Sequence, residues 1–246
     1  MTMRVSSKPW GKLRGTDALQ IFWVPVPRTL LSDELRPLIQ LLNADEKHVY
    51  SRYRVDHKRV EFLVGRALVK QAIGSWLGLN AEQVKITKNI YGKPFVEEEL
   101  MKDRKIYFNL TNTSSFVCAL FGRHEWIGID AEYMQEGHLD VMNIVFTPQE
   151  VAFVLGHSDP QQRRQAFYRI WTRKEAIMKA EGLGFAMDPL SFQVPTPEGI
   201  VDHGRYVIST FTPMEGIMLS VAYRTIDGCS LRVKLRKLDW RVLTDY

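Results

Sequence analysis

The sequence predicts an α+β protein built from two similar halves. Three observations support this prediction: strand-like and helix-like segments alternate, both halves follow the same order of segments, and the two longest helical segments resemble each other. EFLVGRALVKQAIGSWLG can be laid over QAFYRIWTRKEAIMKAEGLG with Phe62 opposite Phe167, although chance similarity between two amphipathic helices is an alternative. We expect the halves, residues 1–123 and 124–246, to form a pseudodimer about a pseudo-twofold axis, with a site at their interface.

Apolar periodicity predicts six elements in the first half. They are a strand at residues 19–26, helices at 33–42 and 55–77, and short strands near 83–87, 105–110 and 115–121. GRHEW at residues 122–126 is the one obvious short turn between the halves, which puts their boundary near Arg123.

The second half repeats this order. Its predicted elements are a strand at IGIDAE, a helix that starts at Thr147, a long helix over residues 163–181, and strands at SFQV, RYVISTF and GIMLSVAY. Thr147 before Pro148 and Glu150 is a capping-box arrangement with proline in the first turn. Gly182 and Gly184 mark the end of the long helix.

Composition indicates an ordinary globular protein. The chain has 246 residues, 45% of them hydrophobic, and no apolar run approaches the roughly 18 residues that a membrane span needs. Because no leader-like apolar segment is present, we expect a cytoplasmic protein with no membrane partner. Cys118 and Cys229 lack metal-ligand spacing and are predicted as small, reduced core residues. The net charge of +5 and the pI of about 9.1 favour an anionic partner.

Two carboxylates end the strand IGIDAE. Asp130 and Glu132 project from the same face because side chains alternate along a strand. Adjacent carboxylates repel unless a cation lies between them, and ligation by oxygen alone suits Mg²⁺ or Mn²⁺. A solvated strand end is the alternative.

A second polar feature lies on the long helix of the second half. Trp171, Glu175 and Lys179 recur every four residues, so they form one stripe on the helix surface. Glu175 and Lys179 could simply be a surface ion pair that contributes about 0.3 kcal/mol. Trp171 on the same stripe argues against a purely solvated face.

Together these two features resemble a family signature. GIDAE followed by WTRKEAIMKAEGLG is similar to the G-[IV]-D-x-E and W-x-x-K-E-[AS]-x-x-K-x-x-G-x-G motifs of 4′-phosphopantetheinyl transferases of the surfactin-synthetase type. YGKP and FNLTNTSSFVCAL resemble two further motifs, and the resemblance covers residues 46–192. It implies a pseudodimer of two α+β halves with the active site between them, and a monomer of the broad-specificity type.

The resemblance also implies a reaction. The family moves the phosphopantetheine arm of coenzyme A onto a serine hydroxyl of an apo acyl, peptidyl or polyketide carrier protein and releases 3′,5′-ADP. It implies Asp130, Glu132 and Glu175 as Mg²⁺ ligands and Lys179 as the cation on the transferred phosphate. Lys174 is implied as a phosphate contact or an aid to proton transfer, and the general base is either Glu175 or a metal-bound water.

Coenzyme A needs further donors for its phosphates. By the resemblance these are Lys47, Arg52, Arg59 and Lys93, with Thr111 and Asn112 where the family usually has Ser-His. Asn112 can donate a neutral hydrogen bond but carries no charge. Cationic residues on a solvated helix face are the alternative for each of the four basic residues.

Three points stay open from sequence. The first is which carrier is modified, in fatty acid, polyketide or nonribosomal peptide synthesis; Arg163, Arg164 and Arg169 are candidates for its acidic surface. The second is whether the chain is instead a basic module that binds RNA or DNA through the aromatic residues of KIYFNL and RYVISTF. The dispersed positive charges disfavour this alternative. The third is another Mg²⁺-dependent phosphotransferase, although no GxxxxGK[ST] loop is present.

Overall fold

A computed structural model describes residues 9–11, 13, 18–101, 103–136, 139–225 and 231–244. The strands are β1 (Ala18–Pro25), β2 (Ile86–Lys88), β3 (Pro94–Val96), β4 (Tyr107–Thr113), β5 (Phe116–Gly122), β6 (Ile127–Tyr133), β7 (Ile200–His203), β8 (Tyr206–Phe211), β9 (Ile217–Arg224) and β10 (Arg232–Lys237). The α-helices are α1 (Ser32–Gln40), α2 (Ala44–Arg52), α3 (Asp56–Leu77), α4 (Glu98–Met101), α5 (Met142–Val145), α6 (Pro148–Leu155) and α7 (Pro160–Glu181). Short 3₁₀ turns lie at Ala81–Gln83, Leu139–Val141, Gly184–Ala186, Pro189–Ser191 and Trp240–Leu243.

Two four-stranded sheets form the framework. The first has the order β10-β1-β5-β4, with β10 parallel to β1 and the other neighbours antiparallel. The second has the order β6-β9-β8-β7 and is antiparallel throughout. β2 and β3 form a separate hairpin. The mixed α+β class is therefore confirmed, whereas the pseudo-twofold axis and the boundary near Arg123 stay predictions.

The buried apolar residues form three clusters, which lie between four layers: α3, the first sheet, the second sheet and α7. Helix α3 packs on one face of the first sheet, and α7 packs on one face of the second. The remaining faces of the two sheets pack against each other through alternate residues of β1, β5, β6 and β9. This arrangement places β6, with its carboxylates, between α7 and the first sheet.

Most predicted elements are confirmed, and the differences have simple causes. SFQV was wrongly predicted as a strand, because the chain there is a 3₁₀ turn followed by an irregular segment. Strands β3 and β7, with three and four residues, are too short for an alternating pattern to be visible. Helix α2 is strongly polar, so apolar periodicity does not mark it.

The two halves share a set of contacts at a constant spacing in the sequence. Helices α3 and α7 both have 22 residues and both end at a glycine with a φ of 74°, Gly78 and Gly182. Buried ion pairs join Lys70 to Glu46 and Lys174 to Glu150, and each second-half partner lies 104 positions after its counterpart. Glu46 and Glu150 also close capping boxes at the starts of α2 and α6.

This spacing corrects one detail of the predicted repeat. The alignment with Phe62 opposite Phe167 is one residue out of register, because a spacing of 104 places Leu63 opposite Phe167. Cys118 is a buried core residue, as predicted, and Cys229 lies outside the described residues. None of the helices that the structure describes combines the length and apolarity that a membrane crossing requires.

Candidate active site

Strand β6 and helix α7 lie in direct backbone contact at Gly128. A Cβ atom at this position would lie only 2.0 Å from the carbonyl oxygen of Ala176 and 2.5 Å from the amide nitrogen of Ala180. Glycine is therefore required for this close approach. Asp130 and Glu132 project from the same face as Gly128, so the close packing brings the α7 stripe over both carboxylates.

Lys179 is the cation of this cluster. Its Nζ donates to Asp130 Oδ1 at 2.6 Å and to the Thr111 hydroxyl at 3.4 Å. Burial works to lower the pKa of Lys179, but Asp130, Glu175 and Glu132 together raise it. The ammonium is therefore held firmly in its charged form.

The carboxylates carry more negative charge than Lys179 can balance. Burial and the charge of Asp130 raise the pKa of Glu132 to about 7, and the same two causes raise the pKa of Glu175. Full ionisation of all three carboxylates would leave two negative charges without a balancing cation, and Asp130 Oδ2 is buried without a hydrogen-bond partner in the described chain. A divalent cation with oxygen ligands fits this charge and donor set.

The carboxylates are not gathered into a closed metal cage. Among the described residues, no three His, Cys, Asp or Glu side chains lie close enough together to hold a metal ion. Instead, Lys179 occupies the side of Asp130 that faces α7. A small cavity of about 110 Å³, lined by Glu132, Tyr168 and Trp171 among others, reaches the cluster at Glu132.

Lys174 does not join this cluster, contrary to its predicted role. Its side chain is 3% exposed, and its Nζ contacts Glu150 Oε2 at 2.9 Å and the carbonyl oxygens of Pro189 and Phe192 at 2.7 and 2.6 Å. Burial lowers its pKa, and Glu150 opposes that change. All three donors of the ammonium are used inside the protein, so none is left for a phosphate.

Lys93 of YGKP likewise has a structural contact in place of the predicted phosphate. Its Nζ donates to the carbonyl oxygen of Ala180 at 2.8 Å, and Asn89 Nδ2 donates to that of Gly182 at 2.9 Å. The β2–β3 hairpin thus caps the C-terminus of α7 across the two halves, where a positive charge is favourable. Burial lowers the pKa of Lys93 to about 8, although Glu125 and Glu181 oppose the change.

Asn112 is held by a carboxylate, Glu61, that was not predicted as a site residue. Glu61 on α3 is 2% exposed, and it accepts from Asn112 Nδ2 at 2.8 Å, from the Ser115 amide at 3.0 Å and from Lys58 Nζ at 2.8 Å. Glu61 thereby fixes the β4–β5 turn, in which Ser115 and its neighbour Ser114 have positive φ. Thr111 lies in the cluster itself, beside Asp130 and Lys179.

The three basic residues predicted on and after α2 differ in their surroundings. Lys47 and Arg52 are exposed and free to meet solvent anions. Arg59 instead donates through Nε to the carbonyl oxygen of Tyr53 at 2.8 Å. Arg163 makes the same contact to His157 at 3.1 Å in the second half, again 104 positions later, so this bond belongs to the shared framework.

Other candidates for partner surfaces are already engaged. Arg164 pairs with Glu136 and Arg169 with Glu198, which reduces the free positive charge at the start of α7. Phe108 and Tyr206, from the segments considered as stacking platforms for bases, are buried in the apolar core. A larger cavity of about 480 Å³ lies between the halves and is lined by residues that include Lys93 and Trp126.

Comparison with known proteins identifies the family of this chain. A model of the 4′-phosphopantetheinyl transferase superfamily matches residues 127–212, and one of the N-terminal part of such transferases matches residues 23–121. The chain is 30% identical to 4′-phosphopantetheinyl transferase HetI of a Nostoc species over 187 residues, which cover 68% of this chain and 78% of that protein. The chain belongs to the 4′-phosphopantetheinyl transferase family.

Relatives of the surfactin-synthetase type are also found. A 4′-phosphopantetheinyl transferase of Bacillus subtilis is 27% identical over 177 residues, covering 72% of this chain and 76% of that protein. Sfp of Bacillus subtilis strain 168 is 24% identical over 176 residues, with the same coverage of both chains. The family resemblance inferred from the four motifs is therefore confirmed.

Proposed function

We propose that the chain transfers the 4′-phosphopantetheine arm of coenzyme A to a serine hydroxyl of an apo carrier protein, releasing 3′,5′-ADP. One observation carries the proposal beyond family membership: a partly buried ammonium, Lys179, lies among three carboxylates at the line where the two sheets meet. Such a cluster offers both a cation for a transferred phosphate and a carboxylate for a proton.

The reaction replaces one phosphorus–oxygen bond by another. The serine oxygen of the carrier attacks the β-phosphorus of coenzyme A, and the bond from that phosphorus to the bridging oxygen breaks, which leaves 3′,5′-ADP. The serine proton needs an acceptor, and we assign Glu175, because it is a carboxylate of the cluster beside Lys179. Lys179 would neutralise charge on the transferred phosphate, since its ammonium stays protonated beside Asp130.

Asp130, Glu132 and Glu175 are the residues that would hold Mg²⁺, or Mn²⁺ in its place. When bound, the ion would supply positive charge that stabilises the negative charge on the 3′,5′-ADP leaving group. The unpartnered Oδ2 of Asp130 and the excess of carboxylates over ammonium groups in the cluster support this assignment. Lys174 is not retained as a catalytic residue.

For the 3′-phosphate of coenzyme A we propose Lys47 and Arg52, which are exposed. Lys58, whose ammonium contacts Glu61 beside the β4–β5 turn, is an additional candidate donor. We further propose a monomer located in the cytoplasm, with two halves that meet near Arg123 and are related by a pseudo-twofold axis. The constant spacing of 104 residues between equivalent ion pairs supports the duplication.

The test is incubation with coenzyme A, Mg²⁺ and a panel of apo carrier proteins from fatty acid, polyketide and nonribosomal peptide synthesis. Intact mass spectrometry of each carrier should show the addition of one phosphopantetheine group, and a serine-to-alanine carrier should remain unmodified. Omission of Mg²⁺ and addition of a chelator tests the metal separately. Absence of an adduct on every carrier would refute the proposed transfer.

A further inference from the structure

The two sheets meet along a seam between their edge strands β4 and β6. Asn109, Thr111 and Thr113 of β4 accept hydrogen bonds from the backbone amides of the β6 residues twenty positions later, at 3.1, 3.2 and 3.3 Å. The constant offset means that the strands run parallel and in register. β6 is an edge strand, so its outward-facing backbone amides have no neighbouring strand in their own sheet. Side chains of β4 accept the hydrogen bonds that the backbone of such a strand would otherwise accept.

The two threonines of the seam each make a second bond. The Thr111 hydroxyl donates to Asp130 Oδ1 at 3.3 Å, and the Thr113 hydroxyl donates to Glu132 Oε2 at 3.3 Å. Each hydroxyl thus contacts two consecutive residues of β6. It accepts a hydrogen bond from the backbone amide of one residue and donates a hydrogen bond to the carboxylate of the residue before it. A hydroxyl has one proton and two lone pairs, so both bonds can form at once.

Asn109 offers a natural contrast within the same seam. Its Oδ1 accepts from the Ile129 amide, as the threonines accept from theirs, but the preceding residue of β6 is Gly128, which has no carboxylate. The three seam residues are all buried. All three therefore accept a hydrogen bond from a backbone amide of β6, while only the threonines also donate to acidic side chains.

We infer that Thr111 and Thr113 are positioning residues, whose hydroxyls orient Asp130 and Glu132 toward a divalent cation while tying β6 to β4. This inference rests on the proposed function, because it assumes that these carboxylates bind the ion. Partners that orient metal ligands typically change metal affinity by about 10-fold to 100-fold when they are removed. The seam thus couples the alignment of the two halves to the geometry of the carboxylates.

Thr113 allows the cleaner experiment, because Thr111 also contacts Lys179. Thr113→Val keeps the shape of the side chain and removes both bonds, whereas Thr113→Ser keeps the hydroxyl. Mn²⁺ binding is measured by electron paramagnetic resonance of the free ion, in the absence of carrier protein. Each variant is titrated with and without coenzyme A, and a titration of coenzyme A alone serves as the blank. We expect Thr113→Val to weaken Mn²⁺ binding about tenfold and Thr113→Ser to restore it to within about threefold of the wild type.

Two controls separate positioning from general stability. Thr87→Val removes a buried hydroxyl that has no hydrogen-bond partner in the described chain, so it should leave both Mn²⁺ binding and stability unchanged. Asn109→Ala removes the hydrogen bond to the Ile129 amide, a seam contact that involves no carboxylate. It should therefore lower the midpoint of urea unfolding without a change in the Mn²⁺ affinity of the folded protein.

The possible results are distinct. Equal Mn²⁺ affinity in wild type and Thr113→Val, or equal weakening in Thr113→Val and Asn109→Ala, would overturn the positioning role and leave the transferase proposal intact. A wild-type protein that binds no Mn²⁺ in either condition would overturn the metal assignment, and the positioning role with it.

Discussion

Helices α3 and α7 are equal in length and both end at a glycine with positive φ, yet they differ at the two α7 positions that belong to the carboxylate cluster. Lys70 and Lys174 make equivalent buried pairs with Glu46 and Glu150. The residue after Lys70 is Gln71, which donates to the carbonyl oxygen of Leu243, while the residue after Lys174 is Glu175. Four positions further on, Ser75 stands in α3 and Lys179 stands in α7.

The comparison separates the framework from the chemistry. Lys174 has a counterpart in a half that lacks the carboxylate cluster, so we expect it to hold α6 against α7. Glu175 and Lys179 have no such counterpart, because the second half alone carries acidic and basic side chains at those positions. A lysine and a glutamate that are adjacent in one motif therefore serve different purposes.

The largest effect is expected from Glu175→Gln. This change removes the proposed proton acceptor and one carboxylate but keeps the side-chain shape, so transfer should fall about 1000-fold while the unfolding midpoint stays unchanged or rises slightly. Initial rates with coenzyme A and an apo carrier measure the loss. Gln71→Ala at the equivalent position of α3 should lower stability and leave the rate per folded molecule intact. Near-normal transfer in Glu175→Gln would remove Glu175 from the mechanism.

Lys174→Met should act on stability. Removing the lysine leaves Glu150 as an unpaired buried charge, which costs about 3 to 5 kcal/mol of the free energy of unfolding. Urea unfolding measures this cost, and the double variant Lys174→Met/Glu150→Gln should recover most of it. Lys70→Met should show a similar loss in the first half. A stable Lys174→Met protein that has lost transfer would contradict the structural role.

A smaller effect is expected at the contact between the halves formed by Lys93. Burial lowers its pKa from 10.5 to about 8 in the folded protein, so between these pH values the unfolded chain binds more protons. The free energy of unfolding should therefore gain a contribution from Lys93 as pH rises from about 8 to 10.5, of about 1 to 3 kcal/mol. Lys93→Met should lack this contribution.

Urea unfolding at several pH values checks the Lys93 prediction, as the difference between wild type and variant. Lys88→Met, an exposed lysine of the same hairpin, serves as the control and should keep the wild-type dependence. A parallel pH dependence in Lys93→Met and wild type would show that the ammonium is not buried against α7 in solution.

The smallest effect is expected from Asn112→His. Either residue can donate to Glu61, so the β4–β5 turn should persist and the transfer rate should stay within about threefold of the wild type. Asn112→Asp puts a second carboxylate beside Glu61 and should cost about 1 to 3 kcal/mol of stability. Coupled measurements of initial rate and unfolding test both variants, and complete loss of transfer in Asn112→His would require a different geometry for this turn.

The sequence was a good guide wherever a residue's role follows from its own spacing. Period-two and period-four patterns brought Asp130, Glu132, Glu175 and Lys179 to one cluster, because strand and helix geometry alone fix which side chains share a face. Roles that depend on a neighbour from a distant segment were missed. Lys174 and Lys93 resemble phosphate ligands in the motifs, but Glu150 and the end of α7 determine where their ammoniums lie.

Glu61 and Thr113 are two residues whose contacts were not predicted, because their partners also lie in distant segments. Glu61 lies on a largely apolar helix next to Lys58, and only the approach of the β4–β5 turn adds the other two donors, Asn112 and Ser115. The alternating polar residues of NLTNT did contain a signal, since buried strand positions filled with Asn and Thr require hydrogen-bond partners. The identity of those partners becomes evident only when β4 and β6 are placed side by side.

The position of β10 has a consequence for how the chain folds. Ala18 of β1 pairs with Arg232 of β10, so the first sheet is completed by residues from near the other end of the sequence. Contacts of such long range slow folding, and a first half that emerges early from the ribosome has an open strand edge until β10 arrives. Cutting the chain near Arg123 should therefore give an aggregation-prone first fragment, and addition of the second fragment in trans should rescue it.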